Sequence, residues 1–164
     1  MNELTIKYVP AEQETNPTVC VSCRLETGAQ SQEHSNEFLF TISDEQRQHI
    51  QWYLEKYLLF PWGEFRTRAR ETEAMMAWLG EEMFEAIFSS RETNNLYGNV
   101  ANELGDTRIV IHASDPEGIV LPWELLRDPT RGEYGDLARL AYAFVRIQSD
   151  SESAYTIPIL PMSL

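Results

Sequence analysis

The chain is expected to fold as an α+β domain, on three observations. Stretches with every second residue apolar open the sequence, segments with apolar residues at helical spacing follow, and two strand-like stretches flank a turn near the end. The opening strands come as a block instead of alternating with helices, so a small antiparallel sheet is expected there, followed by two or three packed helices. An apolar fraction of 43%, with 11% aromatic residues, can fill a core in 164 residues, a length that suits one domain.

Leu4, Ile6 and Tyr8 alternate with polar residues, which is the period of a half-buried strand over residues 4–9. Residues 19–25 and 37–42 read as a second and a third strand, joined by an exposed polar loop over 27–36. Ser43-Asp44-Glu45-Gln46 is a capping box, with acidic residues placed at the positive end of the helix it starts. Ile50, Tyr53, Leu54, Tyr57 and Leu58 form the apolar stripe of that helix, and Pro61 ends it.

A longer helix is expected over residues 65–88. Met76, Leu79, Met83 and Ile87 recur at helical spacing, flanked by Met75, Trp78, Phe84 and Phe88. Such a stripe reads first as core. Read as a docking groove, it makes Met75, Met76, Trp78 and Met83 the candidate interface. Gly80 costs about 1 kcal/mol against Ala in a helix interior, which predicts another element in close approach. A third helix is expected over 94–104, with Gly105 as its stop. Residues 107–113 are the clearest strand, Asp115-Pro116-Glu117-Gly118 is a turn, and 137–147 returns as a strand beside the first. Residues 1–148 thus form one domain, and 149–164, punctuated by Pro158 and Pro161, a connector tail.

Twenty-six acidic against 13 basic residues leave a net charge of −13. That balance disfavours nucleic acid and anionic membrane as partners and suits a basic protein surface. No apolar run approaches the ~18 residues of a membrane span. The opening Met1-Asn2-Glu3-Leu4 also lacks the order of a secretion signal, so the cytoplasm is the expected compartment. Cys20 and Cys23 are the only cysteines, and three residues apart on a strand they face opposite sides of the sheet. A structural zinc site needs four ligands and no second Cys or His pair is present, so neither metal nor cofactor is expected. Glycine-rich phosphate loops, HExxH and GxSxG are absent from the sequence. Arg66, Arg68 and Arg70 alternate with Glu64, Glu71 and Glu73, an ordinary charged helix face.

The densest signal lies in Leu121-Pro122-Trp123-Glu124-Leu125-Leu126-Arg127-Asp128-Pro129, followed by a strand ending in Phe144-Val145-Arg146. A carboxylate among Leu and Trp is costly to desolvate unless paired, and a guanidinium is the side chain shaped to pair it. Glu124, Arg146 and Trp123 are therefore expected to form a buried clamp that locks a short helical turn against the last strand.

These residues carry a resemblance. The LPWELLRDP segment, the closing Phe144-Val145-Arg146 and the upstream Trp52-Tyr53-Leu54-Glu55 resemble, in the same order, the amino-terminal part of CHAT modules, over about residues 38–148. CHAT modules are caspase-like cysteine proteases often joined to tetratricopeptide repeats, and the resemblance implies a strand–turn–strand ending that leads toward a caspase-like sheet. In that family the histidine and cysteine of the protease follow later in the chain. Of His34, His49 and His112 only His112 closes a strand, yet Ile111-His112-Ala113-Ser114 lacks the flanking glycines of a caspase-type histidine. The chain is accordingly expected to be a non-catalytic scaffold or regulatory part. Its implied partners are a caspase-like protease fold, in cis or in trans, and a tetratricopeptide-repeat or sensor domain. The other reading is a free-standing acidic interaction module, an adaptor or inhibitor for a caspase-like or basic partner.

Overall fold

A computed structural model of the protein describes residues 1–148; the expected connector tail lies outside them. The fold is α+β, built on one five-stranded sheet. The opening alternation forms β1 (Asn2–Val9) and β2 (Thr18–Arg24), paired antiparallel, and β3 (His34–Glu37) extends the hairpin. β4 (Thr107–His112) then lies parallel to β1, and β5 (Ala143–Ile147) parallel to β4, giving the order β3-β2-β1-β4-β5. The opening strands therefore do not make a separate antiparallel sheet. β1 is an inner strand of a mixed sheet, because its free edge is taken by a strand from the far end of the chain.

Among the described residues five α-helices complete the fold: α1 (Asp44–Trp52), α2 (Arg66–Ile87), α3 (Arg91–Gly98), α4 (Pro116–Ile119) and α5 (Leu137–Leu140). The capping box at α1 is complete, since Gln46 N–H donates to Ser43 Oγ and Ser43 N–H donates to Gln46 Oε1. Ser90 caps α3 with its hydroxyl alone, which accepts from Thr93 N–H.

One sheet face carries the core. Leu4, Ile6 and Tyr8 of β1, Val19 and Val21 of β2, and Ile109 and Ile111 of β4 pack under Met83, Phe84 and Ile87 of α2 and Leu96 and Tyr97 of α3. Asn36 of β3 is buried and donates to the Ile87 carbonyl at 2.7 Å and to Thr93 Oγ1 at 2.8 Å, fastening the α2–α3 corner to the sheet. The opposite face carries Glu3, Thr5 and Lys7, Cys20 and Ser22, and His112 and Ile147, all half-buried or exposed, together with Val110, which is buried.

Four expectations shift. The third strand lies over His34–Glu37, earlier than 37–42, and Phe38 and Phe40 instead stack toward Trp123 from an unpaired stretch. The strand expected over 137–147 divides into α5 and β5. The third helix starts earlier, at Arg91, and its end becomes a separate 3₁₀ stretch over Ala101–Asp106. The stripe of the first helix is also not a core face: none of the residues of α1 is buried, and its continuation Tyr53–Tyr57 is a π-helical turn.

Candidate functional site

Residues 121–129 form the hub of the domain, where a 3₁₀ turn over Trp123–Leu125 is wedged against α2. Trp123 is fully buried, donates Nε1–H to the Gly118 carbonyl at 2.8 Å, stacks on Phe38 at 5.7 Å and meets Tyr8 edge-on at 6.3 Å. Gly80 supplies the close approach its position predicts. Arg127 N–H donates to the Gly80 carbonyl at 3.2 Å, and a Cβ on Gly80 would lie 1.9 Å from the Leu125 carbonyl oxygen.

The structure brings Glu124 and Arg146 together, with Arg146 Nη1 3.1 Å from Glu124 Oε1. It does not bury them. The Glu124 side chain is 54% exposed and that of Arg146 29%, so the expected sealed clamp is corrected to a surface pair. The turn explains why: Trp123 and Leu126 point inward, which sends Glu124 out to solvent. Arg146 is fixed from a second side, because Nη2 donates to the Ile119 carbonyl.

The buried acid of this segment is Asp128, a residue for which no role was expected. Its side chain is 3% exposed and each oxygen takes two donors. Oδ2 accepts from Tyr97 Oη at 2.7 Å and Arg131 Nε at 3.1 Å, and Oδ1 from Thr130 N–H at 2.9 Å and Thr130 Oγ1 at 2.7 Å. Burial pushes the Asp128 carboxyl up, but the bonds from Thr130, Tyr97 and Arg131 outweigh it and hold the group below its ordinary range. Tyr97 is shifted up, first by burial and then by the adjacent Asp128. Arg131 also donates to the Ala101 carbonyl. With four donors on two oxygens Asp128 has no lone pair aimed at a ligand, so the cluster is a lock joining α3 to the hub.

No thiol faces an imidazole. Cys20 pairs with Lys7 across β1–β2, and Lys7 pairs with His112 across β1–β4. A whole strand therefore separates Cys20 from His112, about 10 Å at sheet spacing. Cys23 is buried on the other face. Burial pushes both thiols up, for Cys20 with further help from Glu33, which leaves them protonated and poorly nucleophilic. Among the described residues no group of three or more His, Cys, Asp or Glu is placed to hold a metal, and no helix is long and apolar enough to cross a membrane.

The candidate interface on α2 divides. Met83 is fully buried in the core and is corrected out of the surface, Met75 and Met76 are half-buried, and Trp78 is 50% exposed. The open apolar surface lies elsewhere. One part is the tip after α1, where Leu58, Leu59, Phe60 and Trp62 are all exposed. The other is a groove of about 330 Å³ between α1 and residues 120–122, walled by Ile42, Ile50, Leu54, Val120 and Pro122, with Arg47 at its edge. A second hollow of about 290 Å³, reaching Tyr8 and Phe40, shares Ile42, Arg47 and Val120 with it. Both sit beyond the carboxyl ends of β1 and β4, where open sheets with parallel strands place their binding sites. The α1 stripe was the sequence signal for this groove, since its apolar residues lack a covering element.

No protein-family model, curated protein or solved structure matches this chain.

Proposed function

We propose that the chain is the non-catalytic amino-terminal part of a CHAT-type, caspase-like cysteine protease module, acting in the cytoplasm as a scaffold or regulatory element. The observation that carries this reading is the unfinished side of the sheet. β5 is an edge strand with no outer neighbour among the described residues, and β1, β4 and β5 run parallel with the packed core on one face only. Parallel sheets are normally covered on both faces, and an open strand edge is a template for another strand. A caspase-like protease fold that continues the sheet beyond β5, in cis or in trans, would meet both needs. The separation of Cys20 from His112 by Lys7 supports a part without its own cutting machinery.

A second reading is favoured by the tip over residues 58–62. Exposed leucine and aromatic side chains on an acidic protein suit a free-standing adaptor or inhibitor that docks a caspase-like or basic partner. Two measurements separate these readings from each other and from an enzyme. Translating the reading frame past Leu164 into strands bearing a later His and Cys supports the first reading, and a stop there supports the second. Incubation with a thiol-directed probe and a peptide panel is expected to give slow labelling and no turnover; rapid labelling of Cys20 with peptide cleavage would overturn both.

A further inference from the structure

We propose that the chain associates head to tail with copies of itself, the tip over residues 58–62 of one copy entering a hollow beside α2 of the next. The inference rests on neither reading of function, and it gives the tip a copy of this chain in place of a foreign partner.

The charges along α2 run against the stability of the helix. Residues 55–70 hold four basic and two acidic residues, in a chain whose net charge is −13. Residues 71–85 hold five acidic residues and no basic one. Arg66 and Arg68 therefore stand in the first turn of α2 and Glu85 in its last. Cations at the amino-terminal end and anions at the carboxyl-terminal end both oppose the helix dipole. Arg66 and Arg70 are four residues apart and Glu82 and Glu85 three apart, so each pair also sets like charges side by side. Within one molecule these charges find no use. The side chains of Lys56, Arg66, Arg70, Glu82 and Glu85 are exposed and make no ion pair or hydrogen bond among the described residues. Arg68 is spent on Trp52, over whose ring it lies at 4.0 Å, and Glu55 accepts from Gln51.

Each charged end also carries open apolar surface. At the basic end Leu59, Phe60 and Trp62 are among the most exposed apolar side chains of the described residues, and Lys56 lines a recess with Phe60 and Phe65. At the acidic end lies a hollow of about 320 Å³, walled by Leu39, Phe40 and Trp78 together with Glu82 and Glu85. No basic residue lines it. A projecting aromatic tip flanked by unpaired cations thus matches an apolar hollow flanked by unpaired carboxylates.

The two patches of one chain cannot meet. Arg66 and Glu82 lie 16 residues apart on a single helix, about 24 Å along its axis. A second copy offers the tip what its own chain cannot. Repulsion between two acidic copies is screened beyond about 8 Å at physiological ionic strength, which leaves the charges in contact to decide. Because the two patches differ, the contact is heterologous and the assembly grows without closing.

The test is sedimentation velocity of the full chain over a ~100-fold range of concentration at physiological salt. The sedimentation coefficient is expected to rise continuously with concentration, without settling at a dimer. Arg66→Glu with Arg70→Glu should weaken association ~10-fold or more, as should Glu82→Arg with Glu85→Arg. Either reversal turns charges to suit the helix dipole, so the melting temperature should hold or rise. Combining all four substitutions in one chain, or mixing the two variants, should restore association. A monomer at every concentration would overturn the proposal and return the tip to a foreign partner. A discrete dimer, association that neither reversal weakens, or a failed rescue between folded variants would overturn it as well.

Discussion

Two acids stand four residues apart in the hub, and they live in opposite physics. Glu124 reaches solvent and meets one guanidinium at 3.1 Å, whereas Asp128 is sealed beneath Tyr97 and holds four donors. An exposed pair gains little, because water screens the charges and two long side chains must be ordered. A buried carboxylate with every lone pair satisfied gains more, and removing it strands its donors. Apolar sequence neighbours therefore do not tell which acid is buried. The turn geometry does, and it points Trp123 inward at the expense of Glu124.

The sharpest way to break this contrast is Asp128→Ala, which leaves the Tyr97 hydroxyl and Arg131 without their acceptor. Urea denaturation is expected to show a loss of about 3 kcal/mol. A loss no larger than that of a surface carboxylate would dissolve the distinction. Next comes Gly80→Ala, which pushes a methyl group against the Leu125 carbonyl and disturbs both acids through the turn between them. About 2 kcal/mol should be lost, read as a fall in Tm of roughly 5 °C. An unchanged Tm would mean that α2 and the hub are not in the contact described.

Acid titration sharpens the contrast further. The folded-state pKa of Asp128 lies below its ordinary value. Its contribution is therefore fully present above pH ~4 and is lost as the pH falls through the folded value. The stability gap between wild type and Asp128→Asn should be full at pH 7 and narrow below pH ~4. A gap that widens on acidification would reverse the assigned sign. The smallest effect belongs to Glu124→Ala, at less than ~1 kcal/mol and shrinking with added salt. A loss several times larger would restore Glu124 as the keystone.

Much of the fold was legible where local chemistry decides it. The alternation of Leu4, Ile6 and Tyr8, the Ser43–Gln46 box, the stripe of α2 and the close approach at Gly80 are short-range features, and each has its counterpart in the structure. The antiparallel opening strands and the neighbouring of β4 and β5 were legible, but the junction of the two groups was not, since β1 pairs with β4 across most of the chain: Asn2 meets Thr107. No spacing rule carries that information. The stretch after β3 misled because Phe38 and Phe40 alternate as a strand does, yet they serve as a cap on Trp123. At the site, the partnership of Glu124 with Arg146 was readable and its exposure was not. Asp128 has no distinguishing signal in the sequence, where Asp-Pro is ordinary turn chemistry, and only the arrival of Tyr97 from α3 turns it into a buried lock.

The most direct test sets two double-mutant cycles side by side, Tyr97→Phe with Asp128→Asn and Glu124→Gln with Arg146→Gln, each read as unfolding free energy at pH 7. A coupling of about 1.5–3 kcal/mol is expected in the first and less than ~1 kcal/mol in the second. Equal couplings, or a larger one between Glu124 and Arg146, would contradict the assignment of the lock to Asp128.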